Sequence, residues 1–109
     1  MTLDEVQATV DAWIGQFAEG YFEPLAMVAR LTEELGELAR EVSHAYGPKP
    51  KKPDEPAGSV AEEAGDLLFV LASLANALGF RLEDAFVAVM DKYRRRDARR
   101  WTPKPGAGA

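Results

Sequence analysis

Apolar residues return every three or four positions through most of the chain, and this rhythm divides it into four helical segments. Leu3, Val6, Val10, Trp13, Ile14 and Phe17 form the first stripe and predict a helix over about 3–17. "EGYFEP" interrupts the pattern. Pro24 suits the first turn of a second helix, where its missing N–H costs nothing. That helix carries Leu25, Val28, Leu31, Leu35, Leu38 and Val42, and is expected to end near Tyr46, with Gly47 as a left-handed cap. "GPKPKKPDEPAG", residues 47–58, then reads as a loop, the chain's candidate for a mobile segment.

Ser59 and Glu62 form an S-x-x-E capping signal for a third helix, polar for two turns and almost wholly apolar after them. Gly79 closes it. A fourth helix begins near Leu82, with Glu83 and Asp84 matched to its positive end. It presents Phe86, Val89, Met90 and Tyr93 before running into "KYRRRDARR". The fold class is therefore all-α, a small antiparallel bundle of four main helices. Residues 1–101 read as one domain and "TPKPGAGA", 102–109, as a disordered tail.

Composition narrows the function classes. The chain has 109 residues, a net charge of −5 and no cysteine. The acidity argues against a surface that coats nucleic acid polymers. The lack of cysteine removes disulfides and thiolate zinc sites and fits a cytoplasmic protein. The N-terminus has no basic flank, so it does not read as a secretory signal. The longest apolar run, Leu67 to Phe80, is too short to span a bilayer. At this size, amphipathic helices leave apolar surface for a second copy to cover.

The candidate chemistry lies in carboxylates. Glu34 with Glu37, and Glu63 with Asp66, are i,i+3 pairs on the second and third helices, so each pair shares one helix face. Packed side by side, the two helices would collect four carboxylates that cannot all stay ionised without compensation. A hard cation ligated by oxygen, Mg²⁺ or Mn²⁺, would supply it. A solvated acidic surface is the other reading, since glutamate is a good helix former. Lys92, Arg94, Arg95, Arg96, Arg99 and Arg100 likewise suit either the negative end of the fourth helix or a phosphate ligand. Trp13 is either core or a stacking surface for a base. The role of Trp101 stays open. Lys49 to Lys52 are either a solvated loop or phosphate contacts. Glu41 reads as surface. With His44 it makes a lone E-x-x-H, and a di-iron site of that type needs two such motifs.

"EELGE" followed by "EAGD" resembles the E-E-x-x-E … E-x-x-D signature of MazG-like nucleotide pyrophosphohydrolases. The likeness extends through "GYFEPLAMVARLTEELGELAREVSHAYGPKPKK", "EEAGDLLFVLASLANALG" and "KYRRRDARRWT", as in the short stand-alone proteins of the YpjD type. It implies an all-α homo-oligomer, a dimer or a dimer of dimers. The implied activity is Mg²⁺-dependent hydrolysis of nucleoside triphosphates between the α- and β-phosphates, giving monophosphate and pyrophosphate. On the same resemblance Glu34, Glu37, Glu63 and Asp66 would ligate the metal, and Glu33 would orient or deprotonate the attacking water. Lys92, Arg95 and Arg96 would hold the phosphates, although Asp91 stands where many relatives carry asparagine. Trp13 would border the base. Phosphoribosyl-ATP pyrophosphohydrolases share the architecture and are the near alternative. A non-catalytic helical dimerisation module is the distant one.

Overall fold

In a computed structural model, which describes residues 1–48, 52–54 and 58–106, the chain forms four helices. They are α1 (Leu3–Gly15), α2 (Pro24–Tyr46), α3 (Val60–Leu78) and α4 (Leu82–Arg96), with no strand among the described residues. The all-α expectation holds. Residues 49–51 and 55–57 of the proline-rich loop and 107–109 of the tail lie outside the described residues.

Local chemistry explains most boundaries. Thr2 Oγ1 accepts from Glu5 N at 3.1 Å while Glu5 Oε1 accepts from Thr2 N at 3.0 Å, a reciprocal cap that starts α1. The first stripe stops two residues short of Phe17, at Gly15. Pro24 opens α2 as expected. Ser59 Oγ accepts from Glu62 N at 3.2 Å and opens α3. Gly79, at φ 78°, closes α3 in the left-handed region. Gly47 does not repeat that device: its backbone is extended, at φ −88° and ψ 174°. At Gly79 the chain turns at once into α4.

The core is a three-helix sheaf, with α2 along α3 and α1 on α3. Val10, Met27, Val70, Ala72 and Ala75 are its buried apolar centre. The axis of α4 turns 101° from that of α3, and α4 packs on α1 with no buried residue of its own. Gln7 and Arg81 pin this corner. Gln7 Nε2 donates to Phe80 O and to Asn76 Oδ1, both at 3.0 Å, and Gln7 Oε1 accepts from Leu82 N at 2.8 Å. Arg81 bridges Asp4 and Glu83 at 2.6 Å and Asp84 at 3.0 Å.

The stripe expected on α2 divides in two. Met27 is buried, and Leu31, Glu34, Leu38, Glu41 and His44 are half-buried. Leu25, Val28, Leu35 and Val42 are exposed in the single chain. The radius of gyration is 18.1 Å, against about 13 Å for a compact chain of this length. Among the described residues, no single helix is long and apolar enough to cross a membrane.

Candidate metal and nucleotide site

The inward stripe of α2 is not purely apolar, and that fact creates the site. Glu34 lies between Leu31 and Leu38 on this stripe. Glu63 and Asp66 occupy the first two turns of α3. Packing α2 on α3 brings one carboxylate oxygen each of Glu34, Glu63 and Asp66 within 4.8 Å of one another. Glu63 is half-buried, and burial raises its carboxyl pKa. The charges of Glu37, Asp66, Glu34 and Glu41 push it the same way. Three carboxylates at this spacing, with a fourth facing them, form an all-oxygen donor set able to hold a hard divalent cation.

The sequence-predicted residues do not all converge. Glu37 is exposed and outside the tight group of three, yet its charge is the strongest felt by Glu63. Glu33 is exposed beside Glu34 on α2. Glu41, read from sequence as surface, is half-buried and rests against Gly58, where an added Cβ would collide with its carboxylate. Sequence spacing held the signal for Glu41, which lies one heptad beyond Glu34 on the same stripe. Among the described residues no group of metal-ligand side chains includes His44.

A hollow of about 350 Å³ lies along α2 and α3 near the carboxylates, though Glu34, Glu63 and Asp66 do not line it. Its lining includes Trp13 and Phe17 of α1 and its C-terminal extension, Tyr21 and Phe22 of the loop, Met27 and Arg30 of α2, and Phe69 and Ser73 of α3. Trp13 and Phe17 meet edge to face at 5.2 Å between ring centroids, and Trp13 is 56% exposed, so it is wall and not core. Tyr21 is held in place through its hydroxyl, which donates to Asp11 and accepts from Asn76 Nδ2 at 3.0 Å. Burial, followed by the bond to Asp11, raises the Tyr21 pKa. Phe69 is one turn from Asp66 and Met27 two turns from Glu34, so hollow and carboxylates lie roughly 5–10 Å apart along the helices.

The basic end of α4 is elsewhere. Asp66 and Leu78 are about 18 Å apart along α3, and Lys92 is about 15 Å along a nearly perpendicular α4. Within one chain Lys92, Arg95 and Arg96 are therefore on the order of 20 Å from the carboxylates. Arg96 is held by Asp97 through bonds of 3.0 and 3.1 Å, and Arg94 pairs with Asp91 at 3.6 Å. Arg96 lowers the Asp97 pKa.

An all-α chain with clustered acids between two helices and an aromatic hollow near them has the donors to hold a divalent cation and the rings to receive a nucleotide base. The MazG nucleotide pyrophosphohydrolase domain matches residues 22–101, and the chain belongs to that family. It is 62% identical over 103 residues to the uncharacterized protein YpjD of Bacillus subtilis (strain 168), covering 94% of this chain and 93% of that one. The uncharacterized protein YvdC of the same organism is 38% identical over 100 residues, covering 82% of this chain and 93% of YvdC. The crystal structure of Bacillus subtilis YpjD superposes with a TM-score of 0.77 over 85% of this chain and 95% of that one. That of the Bacillus-conserved MazG protein, a nucleotide pyrophosphohydrolase, is 54% identical and also gives 0.77, over 89% and 94%.

Proposed function

We propose that the protein hydrolyses nucleoside triphosphates between the α- and β-phosphates, releasing monophosphate and pyrophosphate, with Mg²⁺ as cofactor and Mn²⁺ as substitute. The observation that carries this reading is the convergence of Glu34, Glu63 and Asp66 within 4.8 Å beside the aromatic hollow. The base occupies the hollow against Trp13, and the α-phosphate reaches the carboxylates one to two helical turns away. Glu34, Glu63 and Asp66 would hold the cation, with Glu37 as a further donor. A divalent cation there would draw charge from the α-phosphoryl group and lower the pKa of a water. Glu33 is the base that takes a proton from the attacking water as the water's oxygen bonds to the α-phosphorus and the bond from the α-phosphorus to the bridging oxygen breaks, releasing pyrophosphate.

Two features support a homo-oligomer, a dimer or a dimer of dimers. One chain leaves Val28, Leu35 and Val42 exposed at heptad spacing on α2, along with Phe86 on α4. It is also less compact than a self-sufficient fold of its length. A second copy covers these faces. Its α4 brings Lys92, Arg95 and Arg96 to the pyrophosphate, across a separation that a single chain leaves open.

The test is an assay of the purified protein against nucleoside triphosphates, with phosphoribosyl-ATP included, in Mg²⁺ or Mn²⁺. Monophosphate and pyrophosphate are expected, with turnover lost in Asp66→Asn and Glu34→Gln while helical circular dichroism persists. Release of orthophosphate alone, or turnover indifferent to these substitutions, would overturn the reading.

A further inference from the structure

On α2, Arg30 stands one turn before Glu34, about 6 Å along the axis. An arginine so placed beside Glu33 and Glu34 has two carboxylates within i,i+3 and i,i+4 reach. It takes neither. Among the described residues Arg30 makes no ion pair or hydrogen bond; instead it lines the hollow. Glu34 turns away from it toward Glu63 and Asp66. A guanidinium thus stands unpaired on the boundary between an aromatic hollow and an acidic cluster. Arg30 is the cation of the hollow's wall: apart from the neutral indole N–H of Trp13, the other lining side chains are apolar, acidic or already hydrogen-bonded, as Ser73 Oγ is to Phe69 O at 2.8 Å and the Tyr21 hydroxyl to Asp11 and Asn76.

We propose that Arg30 binds the α-phosphate of the nucleotide, and so the 5′-phosphate of the monophosphate product. The inference rests on the pyrophosphohydrolase reading and adds a residue to it. With a base among the rings and the α-phosphorus at the carboxylates, the group that passes Arg30 is the sugar 5′-phosphate. The forked N–H groups of arginine match two non-bridging oxygens, a geometry lysine cannot copy. Arg30 also offsets the repulsion between an anionic α-phosphate and its acidic surroundings, a task separate from that of the α4 cations at the leaving pyrophosphate.

Binding of nucleoside monophosphates, of the matching nucleosides and of pyrophosphate is measured by titration calorimetry in Mg²⁺, on wild type, Arg30→Gln and Arg30→Lys. Loss of a charge-assisted hydrogen bond is expected to weaken the tightest monophosphate by about tenfold to a hundredfold in Arg30→Gln. Arg30→Lys should recover part of this, while nucleoside and pyrophosphate affinities and the melting temperature stay unchanged. Equal losses for nucleoside and monophosphate would overturn the assignment in favour of base or sugar contact. Unchanged monophosphate affinity would make Arg30 a solvated charge. If wild type hydrolyses triphosphates yet Arg30 variants behave as wild type, this inference alone fails. If wild type yields no monophosphate and pyrophosphate from any triphosphate, the underlying reading fails and this inference with it.

Discussion

The Gln7 side chain accepts the first backbone N–H of α4, from Leu82, at 2.8 Å across 75 positions of sequence. The same amide donates to Phe80 O, the last carbonyl but one before α4 begins. One glutamine on α1 thereby ties the turn after α3, caps the start of α4 and sets the corner between them. Gln7→Leu keeps the volume and strands both backbone groups, at a cost of about 1–3 kcal/mol. For a domain of this size the melting temperature should fall by roughly 4–8 °C per kcal/mol, read by thermal denaturation. A neutral result would show that water replaces the amide freely.

Arg81 donates to Asp4 and thereby holds that carboxyl below its ordinary value of 3.8. The Thr2 backbone N–H does the same for Glu5. A carboxyl pKa lower in the folded than in the unfolded chain stabilises above the unfolded value, and that stability is lost as pH falls through the folded value. Arg81→Gln should therefore lower stability at neutral pH and flatten the acid limb of the stability curve. The two proteins should converge once Asp4 is protonated in both. Urea denaturation at a series of pH values reads this directly.

Glu34, Glu63 and Asp66 repel one another when no cation lies between them. Glu63→Gln is expected to raise the melting temperature in chelator. It should also abolish the stabilisation expected of wild type on adding Mg²⁺, about 2.7 kcal/mol at a hundred times the dissociation constant. A variant that still responds to Mg²⁺ would place the cation elsewhere.

Gly65 lies inside α3, between Glu63 and Asp66, and an added Cβ would meet nothing within 4 Å in this chain. Gly65→Ala should stabilise by about 0.5–1 kcal/mol through helix propensity alone. A loss of stability would reveal a close approach by a second copy of the chain.

Leu35 is 55% exposed on the outer stripe of α2. Leu35→Glu on a free surface would be nearly neutral. If a second copy covers this stripe, it should lower the solution mass to that of one chain, as measured by light scattering. A wild-type monomer would count against the oligomer.

Much of this molecule was legible in its residues. Pro24, Ser59 and Gly79 act within a few positions of themselves, so their helix boundaries could be read locally. The Glu34, Glu63 and Asp66 cluster was legible because helical periodicity fixes which side chains share a face. A glycine permits the left-handed cap without requiring it, and Gly47 is extended instead. The role of Gln7 left no local signal, since its partners are about 70 residues away.

The sequence by itself determined four helices, their caps and which acids share a face, because these follow from contacts between near neighbours in the chain. Tertiary packing decided that Glu41 rests beneath Gly58, that Trp13 lines a hollow, that Arg30 lies unpaired at its edge and that α4 swings away from the carboxylates. Each of these depends on groups far apart in sequence, whose meeting is set by how whole helices pack and turn. Periodicity identifies a helix face, but not the surface it will meet.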